Sequence, residues 1–397
     1  MENLPALNLK KLDKSQWKTY RFDEIAKNIS ERVDPNNTDL EVYVGLEHID
    51  SESIHLKRSG TPDDVDGQKL RFYPGDVIFG RRRAYQRKAA VATTHGFCSA
   101  HALVLRAYPD VIDPQLFPFF MHSDAFMHRA VDISVGSLSP TINWGTLKNE
   151  EFKIPPKEYQ KEYLELLSGC DLVFCNEEFV LHNYKKFYIT YLNELIDKHS
   201  ELEGNEVIRL GNLGSIYGGL TGKSKDDFGT GSPFVTYMNV FKNTRINLDM
   251  LDYVKIEKNE KQNQVIYGDI IFTGSSETPE EVGMTSVLLD EVDGIYLNSF
   301  CFGFRLKNFD QLTPQFARFL FQTRKIRDFI IKHAQGSTRF NLSKSVITEK
   351  LKVKLPTIVT QKKVAADLAE KEDFIKTLEM KIKITESLKN KLINQIF

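Results

Sequence analysis

The sequence predicts a mixed α/β (α+β) chain built twice over. Two similar globular domains are each followed by a long helix, and the helices pair as an antiparallel coiled coil about a pseudo-twofold axis. Three observations predict this: an internal repeat kept in order, short β-rich runs broken by turn residues in each copy, and an apolar spacing of three and four residues closing each copy.

The repeat begins at Phe72-Tyr73-Pro74-Gly75-Asp76-Val77-Ile78-Phe79, which returns as Val265-Ile266-Tyr267-Gly268-Asp269-Ile270-Ile271-Phe272. Asp113-Pro114-Gln115-Leu116-Phe117 then matches Leu312-Thr313-Pro314-Gln315-Phe316, and Val135-Gly136-Ser137 matches Gln335-Gly336-Ser337. Ile154-Pro155 ahead of Gln160-Lys161 matches Leu355-Pro356 ahead of Gln361-Lys362. Every offset lies between about 190 and 201 residues, far longer than a solenoid unit, so this is a duplication.

Val42 to Leu46 and Phe234 to Tyr237 are β-rich runs set among Gly, Asp and Pro turn signals. Pro155-Pro156 and Pro356 stand where a strand ends and a helix begins, a position at which proline sacrifices no helical hydrogen bond. The boundaries expected are therefore 1–157 for the first domain, 158–203 for its helix, 204–357 for the second domain and 358–397 for the last helix. Val180, Tyr184, Phe187, Tyr191 and Leu195 form the expected seam of the first helix. Leu368, Ile375, Leu378 and Ile382 form that of the second, opposite a face of mixed charge. Either helix could also dock on its own domain; the repeat favours the pair, because equivalent seams bury each other about a twofold axis.

Composition excludes several classes. Lys plus Arg number 53 against 54 Asp plus Glu, so a uniformly basic coat is absent and polyanion binding must come from local patches. Four cysteines in 397 residues are no disulfide framework, the N-terminal segment lacks a signal pattern, and no apolar run reaches membrane-spanning length. A reducing, cytoplasmic location is expected.

The clearest patch is Arg81-Arg82-Arg83-Ala84-Tyr85-Gln86-Arg87-Lys88, five cations around a tyrosine with no acid. Arginine forks suit phosphate oxygens and guanine edges, so Arg81, Arg82, Arg83, Tyr85, Arg87 and Lys88 are candidate DNA contacts; the bland alternative is a solvated turn. The equivalent loop of the second copy carries Ser275, Ser276, Glu277, Glu280 and Glu281, so two domains reading DNA would read different sequences. Ser137, and Ser337-Thr338-Arg339 in the matching turn, offer hydroxyls and open amides to a phosphate. Gly218 to Lys225 misses the spacing of a nucleotide-binding P-loop by one residue, which leaves Lys223, Ser224 and Lys225 as a basic turn. His95, Cys98 and His101 are spaced so that alternate members of a strand face opposite ways, and no metal site is expected. No catalytic constellation is found, so the catalytic set is empty.

Gly75 to Phe79, the Arg81 to Lys88 loop, Ser99 to Arg106, Ile154-Pro155-Pro156, the duplicated helices and the terminal Leu388-Lys389-Asn390-Lys391-Leu392 together resemble the specificity subunits of type I restriction-modification systems. The resemblance runs from about Trp17 to Phe397. It implies two target recognition domains, each reading half of a split double-stranded DNA sequence, with the helices as ruler and docking surface. It further implies a noncatalytic chain without cofactors of its own. Two modification subunits would supply S-adenosylmethionine and adenine methylation, and restriction subunits would supply ATP- and Mg-dependent translocation and cleavage. The second copy departs from the pattern in lacking a basic cluster after Phe272. Two rival readings are a self-contained DNA-modifying enzyme and a coiled-coil scaffold that binds no DNA.

Overall fold

Val77-Ile78-Phe79 and Ile270-Ile271-Phe272, the apolar cores of the repeat, become the inner strands of equivalent sheets, buried on both faces. The computed structural model describes residues 12–202 and 205–397. In the first copy the strand order is Ala26–Ile29, Ala102–Ala107, Val77–Gly80, Ala89–Val91; in the second it is Gly214–Gly218, Cys301–Leu306, Ile270–Thr273, Thr285–Val287. All neighbours in both sheets are antiparallel. A second four-stranded sheet in each copy keeps one parallel pair, Tyr43–Val44 beside Gly96–Cys98 and Phe228–Val235 beside Ile295–Leu297. The copies differ at that sheet's margin: the first adds Arg32–Val33 outside Lys69–Phe72, the second adds Leu251–Val254 outside Phe228–Val235.

The repeated Gly-Asp is a structural device. Gly75 and Gly268 turn the chain with φ of 88° and 84°, a region that favours glycine. The following carboxylate is buried and accepts from the backbone N–H three residues earlier, Tyr73 to Asp76 and Ile266 to Asp269, each at 2.9 Å. An arginine of the neighbouring strand completes it: Arg106 donates from Nε and Nη2 to Asp76 at 2.7 and 3.0 Å, and Arg305 to Asp269 at 2.9 and 2.6 Å.

The repeated glutamine fastens helix to domain. Buried Gln160 accepts from the Asp113 N–H at 2.7 Å and donates to the Val111 and Pro155 carbonyls, both at 2.8 Å. Gln361 accepts from the Thr313 N–H at 2.9 Å and donates to Gln311 and Pro356 at 2.7 and 2.9 Å.

The long helices are Lys157–Ser200, of 44 residues, and Ile358–Ile396, of 39. The described chain divides into two compact units, one running to Phe179 and taking in Glu379–Phe397, the other Val180–Leu378. In the first unit the end of the second helix packs against the globular core: Ile393 and Ile396 are buried and the Phe397 ring lies 5.3 Å from Phe120. In the second unit Leu192 and Ile196 of the first helix do the same. Each helix also caps a short helix of the unit it ends in. Asn394 Oδ1 accepts from the Asp124 N–H at 2.7 Å, and Asn193 Oδ1 accepts from the Arg324 N–H at 2.6 Å.

Within each unit the helices run antiparallel, Glu177 meeting Lys381 in the first, Tyr184 meeting Phe374 and Tyr191 meeting Asp367 in the second. Leu368 and Ile375 of the expected seam are buried, and Tyr184, Tyr191, Leu195, Leu378 and Ile382 are half-buried. Val180 and Phe187, expected in the seam, are exposed, and Leu192 and Ile196 are buried instead. A three-and-four spacing identifies a stripe but not which of two adjacent stripes meets the core.

Below Arg87, the His122 imidazole donates from Nε2 to the Ala89 carbonyl at 2.7 Å, and burial pushes it down to about 4 from 6.5. A base depressed in the folded state leaves the unfolded chain holding the extra proton between those values, so stability falls as pH drops through that window. The loss should approach about 3 kcal/mol. Urea unfolding from pH 7.5 down to 4.5 tests this, with His122→Gln expected to lose that part of the pH slope and an unchanged slope refuting it.

Among the described residues no helix is long and apolar enough to cross a membrane, and all four cysteines are free thiols.

Candidate nucleic-acid interface

Segments far apart in the sequence meet at one edge of each domain. In the first, Arg82 forms an antiparallel bridge with Thr141, which bridges Val135 in turn. The Arg83 N–H donates to the Pro140 carbonyl at 2.7 Å, the Ile142 N–H to Arg81 at 2.9 Å, and Arg82 Nε to Ser139 Oγ at 2.7 Å. In the second, Ser275 pairs with Asn341 and Ser276 with Phe340, while Asn341 also bridges Gln335. The two sequence candidates of each domain, the loop after the inner strand and the Gly-Ser turn, thus form one surface. Gly136 and Gly336 shape it with φ of 119° and 143°, and a side chain at Gly336 would strike the Arg339 carbonyl.

The first surface is cationic and projecting. Arg83 and Arg87 adopt left-handed backbone, φ 58° and 51°, on either side of the short turn Ala84–Gln86, an unusual conformation for a side chain of that size. The turn buries Ala84 and leaves Tyr85 56% exposed, with Arg82, Arg83, Ser137 and Leu138 also exposed and Arg81 half-buried. Arg87 and Lys88 are committed elsewhere. Arg87 pairs with Asp124 at 2.9 Å and Glu52 at 3.2 Å and donates to the His122 carbonyl at 2.7 Å; Lys88 Nζ donates to the Leu46 carbonyl at 2.6 Å. These two cations fix the loop that presents the others.

The second surface is a groove of about 510 Å³ lined by Tyr237, Phe241, Glu277, Glu281, Phe300 and Arg339, among others. Ser275 and Ser276 are buried in its floor, where Ser275 accepts from the Tyr237 hydroxyl through its carbonyl at 2.9 Å and Ser276 Oγ donates to Glu281 at 2.9 Å. Ser337, Thr338 and Arg339 are exposed on the rim, the Arg339 guanidinium 5.2 Å from the Phe300 ring centre. Phe300 and Phe241, which the sequence reading did not single out, and Tyr237, read there as the end of a β-rich run but here the first residue of the short helix Tyr237–Lys242, supply aromatic faces that only the fold brings to the loop.

The turn before Lys225 is occupied differently from expectation. Lys223 Nζ, nearly buried, donates to Glu260 at 2.5 Å, and this bond holds the Glu260 carboxyl down at about 2. Ser224 caps a short turn through Asp227, donating from N and Oγ at 2.7 and 2.9 Å. Lys225 remains exposed. His95, Cys98 and His101 do not converge: His95 lies edge-on to Tyr73, Cys98 is buried and His101 is exposed.

A family model described as the type I restriction modification DNA specificity domain matches residues 202–393. The chain is 28% identical over 152 residues to the type I restriction enzyme EcoDI specificity subunit of Escherichia coli, covering 37% of this chain and 33% of that protein. It is 24% identical over 231 residues to the putative type I restriction enzyme MjaX specificity subunit of Methanocaldococcus jannaschii, covering 57% and 50%. The chain thus aligns with a third to a half of these curated relatives. Over its whole length the fold is similar to a chain solved for the assembly and conformational transition of a type I restriction-modification system, with TM-score 0.61, 19% identity and 96% of both chains covered. It is also similar to the S subunit of such a system from M. genitalium, with TM-score 0.54, 14% identity and 98% of both chains covered.

Proposed function

We propose that this chain, similar to the type I restriction-modification specificity subunits in the sequence of its second half and in fold, is the noncatalytic DNA-reading component of a larger complex, each globular domain reading one half of a split target. The observation that carries this is the pair of equivalent surfaces with unlike chemistry, one cationic and projecting, the other an aromatic and acidic groove. Arg82, Arg83, Tyr85 and Ser137 meet the first half-site, Arg81 supports them, and Ser337, Thr338, Arg339 and Lys225 meet the second. Glu277 can accept from a cytosine amine, a preference an arginine loop would not share. Modification subunits hold S-adenosylmethionine, restriction subunits hold ATP and Mg, and all of them act in the cytoplasm. Exposed apolar side chains along the helices, Phe187, Ile189, Met380 and Ile384 among them, are where the modification subunits dock.

Coexpression with the cognate modification subunits, followed by mapping of methylated adenines, tests this reading. A bipartite motif with a fixed gap is expected, and a contiguous motif or methylation by the chain alone would refute it. The helices are expected to set the gap. Inserting four residues in both, at the facing layer of Tyr184 and Phe374, lengthens each by about 6 Å, close to two base pairs of about 3.4 Å. The same mapping should show a longer gap between unchanged half-sites; an active variant with the old gap would exclude the helices as the ruler.

A further inference from the structure

One cluster in the first unit uses none of the side chains proposed to meet DNA. Asp171 and Cys175, four residues apart, share a face of the first long helix, and His55 reaches them from a loop of the globular domain. One ligand atom from each lies within 4.8 Å of the other two. The loop is anchored, since His55 bridges Val91 and the Val91 N–H donates to the Ile54 carbonyl at 2.9 Å, so the imidazole is held at the helix.

We infer that His55, Asp171 and Cys175 form a binding site for one zinc-class divalent ion, which clamps the globular domain to its helix. Imidazole, carboxylate and thiolate are the donor types zinc takes, and three protein ligands leave a fourth position for water. His55 Nε2 now donates to Asp171 Oδ2 at 2.6 Å, and the ion takes the place of that shared proton. Oδ1 is left to Lys389, whose Nζ lies 3.1 Å away over the Phe174 ring. On binding, Cys175 Sγ and His55 Nε2 each bond the metal; the thiol proton leaves to solvent, the imidazole proton moves from Nε2 to Nδ1 by exchange with solvent, and no electron is transferred. One carboxylate, one thiolate, the Lys389 ammonium and the dication sum to a single positive charge, a tolerable load for a partly exposed site. Burial, then Asp171, raise the thiol, so it stays protonated until an ion displaces the proton.

The duplication supplies an internal contrast. The equivalent joint of the second unit is closed without a thiol or an imidazole: Glu372 accepts from Thr244 Oγ1 at 2.7 Å and pairs with Arg318, and Lys376 stands four residues on. A guanidinium fills the place of a cation there, so binding of one ion per chain is expected rather than two.

The test uses the full purified chain, stripped with a chelator and titrated with Co²⁺ as spectroscopic probe and with Zn²⁺ in competition. Expected are one ion per chain, the visible bands of a tetrahedral site, a thiolate charge-transfer band, and a zinc-dependent rise in melting temperature. Cys175→Ser should abolish the charge-transfer band, and His55→Ala should weaken binding about tenfold or more, while Cys170→Ser, five residues away, should change neither. Circular dichroism before metal addition separates a missing ligand from a disrupted fold. A spectrum without the thiolate band, one retained in Cys175→Ser, or no uptake by the folded wild-type chain would overturn the site. The DNA reading is unaffected by any of these results.

Discussion

Replacing Arg82 by Ala and Arg83 by Asn should lower DNA affinity of the assembled complex by about 2–4 kcal/mol, roughly 30- to 1000-fold, while the chain stays folded. Both side chains are exposed, and the backbone hydrogen bonds that tie this loop to Pro140 and Ile142 do not involve them. Asn at position 83 tolerates the left-handed backbone that Ala would strain. Removing an arginine that neutralises one phosphate should flatten the dependence of log affinity on log salt by about 0.9, whereas removing one that reads a base edge should relax sequence preference at a single position. Fluorescence anisotropy at several salt concentrations separates the two. Arg87→Ala is the contrasting variant: it strips Asp124, Glu52 and the His122 carbonyl of their partner, so its main effect should be on stability. Unchanged affinity and salt slope in the double variant would reduce the loop to a solvated turn.

The sequence shows that this loop is basic but not which of its cations have partners within the chain, for a physical reason. A run of cations shows that a basic segment exists, but which members are spent internally depends on carboxylates far along the chain. Asp124 lies 37 residues from Arg87, and Glu260 lies 37 from Lys223. The same holds for Asn394 capping the helix at Asp124, 270 residues away. The duplication was legible because the residues it preserves, Gly75-Asp76 with Gly268-Asp269 and Gln160 with Gln361, carry backbone geometry and buried hydrogen bonds that tolerate little change. The surfaces that differ between copies are the ones free to diverge, which is why their charge could be read but not their partners. The aromatic wall of the second groove left no local signal, since Tyr237 and Phe241 lie on one short helix and Phe300 comes from a separate segment.

The preserved carboxylates give the largest expected effect on stability, and the copies should not respond equally. Asp269 accepts from the Ile266 N–H, from Arg305 twice, and from the Tyr217 hydroxyl at 2.7 Å. Tyr217 is possible there because Gly303, its ladder partner, has no side chain to collide with the ring. Asp76 has the N–H of Tyr73 and Arg106 but no such hydroxyl, and its arginine stacks over Tyr73, 5.0 Å from the ring centre. Removing either carboxylate leaves a half-exposed guanidinium that can turn to water and a backbone N–H without its acceptor; removing Asp269 also takes the acceptor from the hydroxyl of half-buried Tyr217. Asp269→Ala should therefore cost about 3–5 kcal/mol, and Asp76→Ala about 2–3 kcal/mol. Hydrogen exchange resolved by segment is the suitable measurement, because a two-unit chain need not unfold in one step. Protection should collapse around Ile270–Thr273 in the first variant and around Val77–Gly80 in the second, with the larger loss in the first. Where enough folded chain remains, the methylated sequence should be unchanged, since neither carboxylate reaches the proposed DNA surfaces; an altered half-site with protection intact would instead make Gly-Asp part of the reading head.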